Sequence, residues 1–353
     1  MHNNLQEGCT MEITEKNMRN RGKVVFIVLV CMLAVLFLAS ICIGRYTVAP
    51  FLAFKILLSC ILPLDSTWGE IEQAVVMEMR LPRALMAMLI GAGLSAGGAS
   101  FQGLFGNPLV SPHILGVSAG AGFGAALGIL ISGNMFFIQG MALIFGIAAV
   151  VATWLISRLK SGSQLFMLIL AGVITGALFE ALISLIKYVA DPEQKLPAIV
   201  FWLMGSMSGI TRENMGLGIP LILLGIITLL LLRWKINILS LSDDEARSLG
   251  VDIVKLRIAV IGAATLITAV SVSICGIIGW VGLVVPHISR MIVGNDYKAL
   301  LPASAAIGAL YLLLIDNIAR AATAAEIPLS ILTAILGAPF FIFLLRKTGG
   351  NWK

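Results

Sequence analysis

The chain has 353 residues, 59% of them hydrophobic and 12% charged, with a formal net charge of +6. A soluble domain carries about 25% charged residues, so this composition excludes the two or three water-soluble domains that length alone would allow. The basic excess is better explained by orientation in a membrane than by nucleic acid, because it sorts with the loops as described below.

Residues 1–23 form a polar tail. The first apolar run, Val24 to Ile43, has twenty residues without a charge. It is too long for the core of a secretion signal and lacks a small-residue cleavage site before Arg45. No Asp, Glu, Lys or Arg lies between Arg83 and Arg158, which leaves room for three membrane crossings of about 20 residues each. Further charge-free runs are 161–179, 214–232, 258–289, 299–315 and 327–345. The runs lack the two-residue alternation of a membrane barrel, and backbone groups in lipid must be satisfied within the segment, so they read as helices. Ten spans follow, at 24–43, 82–103, 114–132, 136–156, 164–188, 214–232, 257–275, 279–292, 299–318 and 328–345. Short helices are expected in the loop 44–80 and at 197–208. With the N-terminus inside, sixteen of the Lys and Arg residues fall on the cytoplasmic side and eight outside, the expected asymmetry.

Several segments break the apolar pattern. Gly91 and Ser95, Gly93 and Gly97, Gly116 and Gly120, and Gly120 and Gly124 are small residues four apart, which lets helix backbones approach closely. Packing within one subunit is the favoured reading over a dimer seam. In "MRLPR", Arg80 and Arg83 stand at the outer mouth of the second span, either as interfacial anchors or as a contact for an anionic protein. "FQGLFGNPLVSPHILG" (101–116) interrupts two spans with Gln102, Asn107, Pro108 and Pro112. Non-helical backbone at this depth should be buried in protein or line a watery path. Glu180 lies inside the fifth span with Lys187 two turns later, and it serves equally well as pathway lining or as a structural partner. "LSDDEARSLG" (241–250) concentrates charge between two oily runs. Ser242 and Glu245 have capping-box spacing, Asp243 and Asp244 suit a helix N-terminus, and Gly250 suits its left-handed end. Ala246 and Leu249 form a small apolar edge, beside Arg247.

No phosphate-binding loop, Ser-His-Asp set, paired-carboxylate site or zinc spacing is present, so the chain itself is expected to hydrolyse nothing. His113 and His287 are isolated and read as structural. The cysteines, Cys9, Cys31, Cys42, Cys60 and Cys275, show no paired spacing and read as small core residues.

"MRLPRALMAMLIGAGLSAGGASFQGLFGNPLVSPHILGVSAGAGFG", "FWLMGSMSG", "LSDDEARSLGV", "GIIGWVGLVVPHISRMIVGNDYKALLPASAAIGA" and "DNIARAATAAEIPLSILTAILGAPFFIFLL" occur in the order they take in one family. Over about residues 79–346 the chain resembles the FecCD-type permeases of ATP-binding-cassette importers, which take up iron–siderophore complexes, haem or vitamin B12. The resemblance implies an all-α polytopic fold of about ten transmembrane helices, the type II importer permease. The charge asymmetry makes 1–23 a cytoplasmic tail, which itself matches nothing in the family, and the resemblance implies a single transmembrane permease domain at 24–353 with a coupling loop near 236–256. It also implies a homodimer, two cytoplasmic ATPase subunits that hold the ATP and Mg, and an extracytoplasmic binding protein. The chain itself binds no cofactor, metal or nucleic acid in this reading. The expected place is the inner membrane of a prokaryote, with both termini cytoplasmic.

By the same resemblance, Ser242, Asp243, Asp244, Glu245, Ala246, Arg247, Leu249 and Gly250 couple to the ATPase. Arg80, Arg83 and Arg320 meet acids on the binding protein. Asn107, Pro108 and Leu109, with Ser161, Gly162 and Ser163, form cytoplasmic gates. Glu180 sits on a pathway-lining helix, where a small or neutral polar residue is the family expectation. The competing readings are a secondary transporter coupled to protons or sodium through Glu180, and a membrane scaffold or sensor without cargo.

Overall fold

The computed structural model describes residues 24–44, 46–59, 62, 68–159, 164–239, 243–323 and 325–348. Among these residues every regular element is helical. Seven helices are long and apolar enough to cross a membrane: α1 (Val24–Cys42), the continuous helix Glu70–Phe105, α6 (Met135–Ser157), α7 (Gln164–Val189), α9 (Arg212–Ile238), α11 (Ile253–Cys275) and α13 (Tyr297–Ala321). Three helices with shorter apolar stretches complete the expected ten: α5 (Val117–Ile131), α12 (Val281–Val293) and α14 (Leu329–Thr348, apolar over Leu329–Leu344). At about 1.5 Å per residue, α5 and α12 reach only about 22 and 20 Å, short of a bilayer core of about 30 Å. The short loop helices α2 (Pro50–Leu58) and α8 (Lys195–Leu203) and the isolated α10 (Asp243–Ser248) are the remaining α-helices among the described residues.

The second crossing departs from its expected start at 82. It begins with α3 (Glu70–Ala74), passes through a π-turn at Val75–Arg80 and runs on as α4 (Leu81–Phe105). Charges at Glu70, Glu72, Glu78 and Arg80 hide this extension, because a helix that rises out of the hydrocarbon no longer has to be apolar. The wide turn precedes Pro82. An extra residue per turn relieves the clash of a proline ring with the carbonyl behind it.

α4 is the axis of the fold. It packs against α13, α11, α9 and α12, and 78% of the apolar window of its helix is buried, against 28% for α6, α7 and α9. Its alanines, glycines and serines explain this placement, since only small side chains let four helices surround a fifth at backbone distance. A Cβ added to Gly91 would lie 2.2 Å from the carbonyl oxygen of Gly308, and one on Gly120 or Gly124 would strike the backbone of α6. The glycine stripes therefore serve packing inside the subunit, as favoured from the sequence.

Candidate functional site

At one end of the bundle, α10 stands alone between α9 and α11. Ala246 is 2% exposed and packs with Ile238 and Ile253, the facing ends of the two long helices. Leu249 points outward at 60% exposure, so Ala246 and Leu249 do not share the apolar edge expected of them. Glu245 is exposed as well. Gly250 takes φ 74, the left-handed end expected of it, and the Leu249 N–H donates to the Glu245 carbonyl at 3.3 Å. Asp252 caps α11 by accepting from the Lys255 N–H at 3.1 Å, a bond that holds its carboxyl below the usual range. Ser242 and the side chains of Asp243, Asp244 and Arg247 lie outside the described residues, so the capping box is not part of this description.

The loop after α4 lies at the same end. Gly106 ends the helix with φ 59, and the Asn107 side chain accepts from the Leu109 N–H at 2.9 Å, a turn that leaves Asn107 and Leu109 exposed. His287 of α12 binds the Pro108 carbonyl at 3.0 Å through Nε2. A carbonyl only accepts, so the ring proton is on Nε2. The ring also meets Phe341 edge-on, consistent with a structural histidine. Ser161, Gly162 and Ser163 lie outside the described residues.

Side chains that sequence reasoning left unassigned connect these two loops. Asn237, in the last turn of α9, donates to the Asp296 carboxylate at 2.7 Å and accepts from the Tyr297 N–H at 2.9 Å. The Tyr297 hydroxyl accepts from Arg290 at 3.3 Å, and Arg290 also donates to the Gln102 side-chain oxygen. Gln102, 2% exposed, lies four residues before the loop at 106–111. The chain of contacts thus runs from the helix before α10 to the helix before the proline loop. The signal in the sequence was Gln102 itself, a buried amide in an apolar run. Gln102→Leu removes the Arg290 acceptor and is expected to cost about 1–3 kcal/mol. Gln102→Glu, which keeps an acceptor, should recover most of that in thermal unfolding of the detergent-solubilised protein. Equal stability of the Leu variant and the parent would remove Gln102 from the network.

At the opposite end the structure brings Arg80, Arg83 and Arg320 together, but not as an exposed rim. Arg80 is 5% and Arg320 7% exposed. Arg80 donates to the carbonyls of Ile41 at 2.8 Å and Cys42 at 3.0 Å, and to that of Tyr46. Arg83 grips two carboxylates: Asp316 at 2.9 and 3.1 Å through Nε, and Glu326 at 2.8 and 2.9 Å through its two terminal nitrogens. Arg320 donates to the Ser40 hydroxyl at 2.7 Å, to the Ser40 carbonyl and to Asn317. The three guanidinium groups bind the chain's own acceptors, with Arg320 Nε making only the 3.8 Å contact to Asp316. Their physical work is to pin the loops after α1 and α13 onto α4.

Glu180 is exposed, in the middle of α7. Among the described residues no ion pair reaches its carboxylate, so the structural-partner reading finds no partner there. α7 packs on α5, α6 and the short helix Pro112–Leu115 through one face only.

Comparison with known proteins adds the identity of this arrangement. The sequence model of the FecCD transport family matches residues 32–347. The molybdate import system permease protein MolB of Haemophilus influenzae is 42% identical over 326 residues, covering 92% of this chain and 96% of that protein. A Helicobacter pylori protein named as an iron chelatin transport system permease is 41% identical over 277 residues, 78% of this chain and 83% of its own length. A solved structure titled as an inward-facing conformation of a metal-chelate type ABC transporter superposes with TM-score 0.83 at 41% identity, over 92% of this chain and 99% of that one. Family match, identity and shared fold agree: this chain belongs to the FecCD transport family and is a membrane permease of the ATP-binding-cassette importers.

Proposed function

We propose that the chain works as a homodimer in the inner membrane of a prokaryote, with both termini cytoplasmic. It would pass a metal chelate, of the iron–siderophore class, from an extracytoplasmic binding protein to the cytoplasm. Two separate ATPase subunits supply the energy; the permeases of this family are transport subunits rather than enzymes. The observation that carries this reading is α10. It is a short charged helix whose Ala246 is packed between the ends of two membrane-length helices, with Glu245 and Leu249 exposed. Such a helix can be pushed by a docked partner, and α9 and α11 would follow it. The contacts from Asn237 through Arg290 to Gln102 give that motion a route to Asn107, Pro108 and Leu109, which would open and close the inner gate with the segment 161–163. At the other end, Arg80, Arg83 and Arg320 would stiffen the landing surface of the binding protein rather than offer it free charge. The family match and the coupling helix favour this ATP-driven reading over a secondary carrier working through Glu180.

The test is Glu245→Arg. Charge reversal at the rim of a docking contact should lower co-purification of the ATPase subunit by about tenfold or more and abolish uptake, while the permease still inserts and dimerises. Undiminished ATPase binding together with undiminished uptake would refute the coupling role of this helix.

A further inference from the structure

The exposed side of α7 divides into two strips. Leu170, Ile174, Leu178 and Leu185 form one, all large and apolar. Val173, Ala177, Glu180 and Ser184 form the other, one helical turn apart, and all are exposed. The buried stripe, Leu168, Ala171, Thr175, Ile183 and Ile186, lies on the remaining face. Glu180 is nine residues from the end of α7 at Val189, about 13 Å along the axis and so near mid-membrane in a helix of this length. An ionised carboxylate at that depth is not stable against lipid and marks a water-filled cavity or a path. The first strip can face lipid or another apolar surface. The second is the polar one: beside the apolar Val173 and the small Ala177 it carries the Glu180 carboxylate and the Ser184 hydroxyl, which donates to the Glu180 carbonyl at 2.9 Å. Lys187 is two turns farther on and half-buried, at the end of the helix where water reaches it in any case.

Glu180 therefore does more than line a path. From the carboxylate and its exposure at this depth we infer that Glu180 is a charge filter: the pathway admits cargo of neutral or positive net charge and opposes oxyanions. This inference rests on the reading of α7 as pathway lining in a homodimer, where two-fold symmetry supplies the carboxylate twice. A charge in a medium of effective dielectric about 20 shifts the local concentration of a monovalent ion about 10 Å away by on the order of tenfold, and two copies and a divalent ion compound the effect. The inference separates this chain from its molybdate-importing relative, whose named cargo is an oxyanion. The cargo class it points to is a metal chelate whose ligands leave no net negative charge.

The experiment measures the sign of the field directly, without knowing the cargo. Ser184→Cys puts a thiol one turn from Glu180, on the same strip. The complete transporter, with its ATPase subunits in membrane vesicles, is treated with a positively charged and a negatively charged methanethiosulfonate reagent of similar size. Modification is read at residue 184 by mass spectrometry, so the native cysteines stay in place. The ratio of the two rates cancels any effect of Glu180 on the reactivity of the thiol itself. The positive reagent is expected to react faster, and Glu180→Gln should shift the ratio by about three- to tenfold toward the negative one. Glu180→Lys should invert it. If neither reagent reaches residue 184, the strip is not water-lined and the pathway reading falls, taking the filter with it. If both react and the ratio ignores residue 180, the path stands and the charge filter alone is overturned.

Discussion

Asp316→Ala is expected to lower the stability of the protein by about 3–5 kcal/mol, the range for breaking a buried ion pair by removing one partner. Asp316 is fully buried and receives Arg83 through two nitrogens, with Arg320 at 3.8 Å on the other side. Truncation leaves two arginines in low dielectric with only Glu326, itself 30% exposed, to compensate. Asp316→Asn keeps the shape and one acceptor and should lose less. The pair itself need not be worth that much, because most of the cost is the stranded charge. Replacing Arg83 by Met together with Asp316 by Leu should therefore recover a large part of the loss. The exposed pair of Lys255 and Asp252, at 3.1 Å, is the control, and Lys255→Ala there should leave the unfolding temperature essentially unchanged. Thermal unfolding of the detergent-solubilised protein reads all of these. A loss for Asp316→Ala as small as that of the control would show that the arginines find water or other acceptors, and that the network does not hold this end together.

This network also shows where the sequence stops being readable. The ten helices were legible because each leaves a run without charge, and the family because its motifs keep their order. Arg80 and Arg83 were legible as arginines at a helix start, yet their partners are up to 243 residues away in the chain. Nothing local separates a guanidinium that waits for a partner protein from one that already grips Asp316 and Glu326. The readable signal was on the acid side: Asp316 follows a charge-free run directly, and an acid at that position calls for a buried cation. Glu180 is the reverse case. Its place in the span was plain, but only the packing of α7 shows that its side chain is exposed and without an ion pair among the described residues. The short helix α10 was legible as an element, and Gly250 as its left-handed end, while Ser242 of the expected capping box lies outside the described residues. The split between Ala246, turned in, and Leu249, turned out, was not, because a six-residue helix carries too few turns for a periodic face.

Gly98→Ala is expected to be the most disruptive glycine-to-alanine change among the described residues, and its reach extends to the loop proposed as the inner gate. A Cβ on Gly98 would lie 1.8 Å from the Gly282 carbonyl oxygen, with the Gly282 carbonyl carbon and Cα at 2.5 and 2.6 Å. Every one of these atoms is backbone, so no rotamer change relieves the clash and α4 and α12 must separate. Overpacking of a tight core costs about 1–3 kcal/mol even where side chains can yield, and here they cannot. Gly262 gives the contrast. It is also in a helix, but a Cβ there meets nothing within 4 Å, so Gly262→Ala should be neutral or stabilising by up to about 1 kcal/mol through helix propensity. The functional consequence follows from what α12 carries. His287 holds the Pro108 carbonyl and Arg290 holds Gln102, so displacing α12 from α4 pulls on the proline loop from both sides. In proteoliposomes, Gly98→Ala should release trapped solute without ATP, while Gly262→Ala stays tight. The two variants should also differ in thermal unfolding by several degrees. If Gly98→Ala unfolds with the parent and stays tight, the contact between α4 and α12 is softer than its backbone distances allow, and the proposed gate does not depend on it.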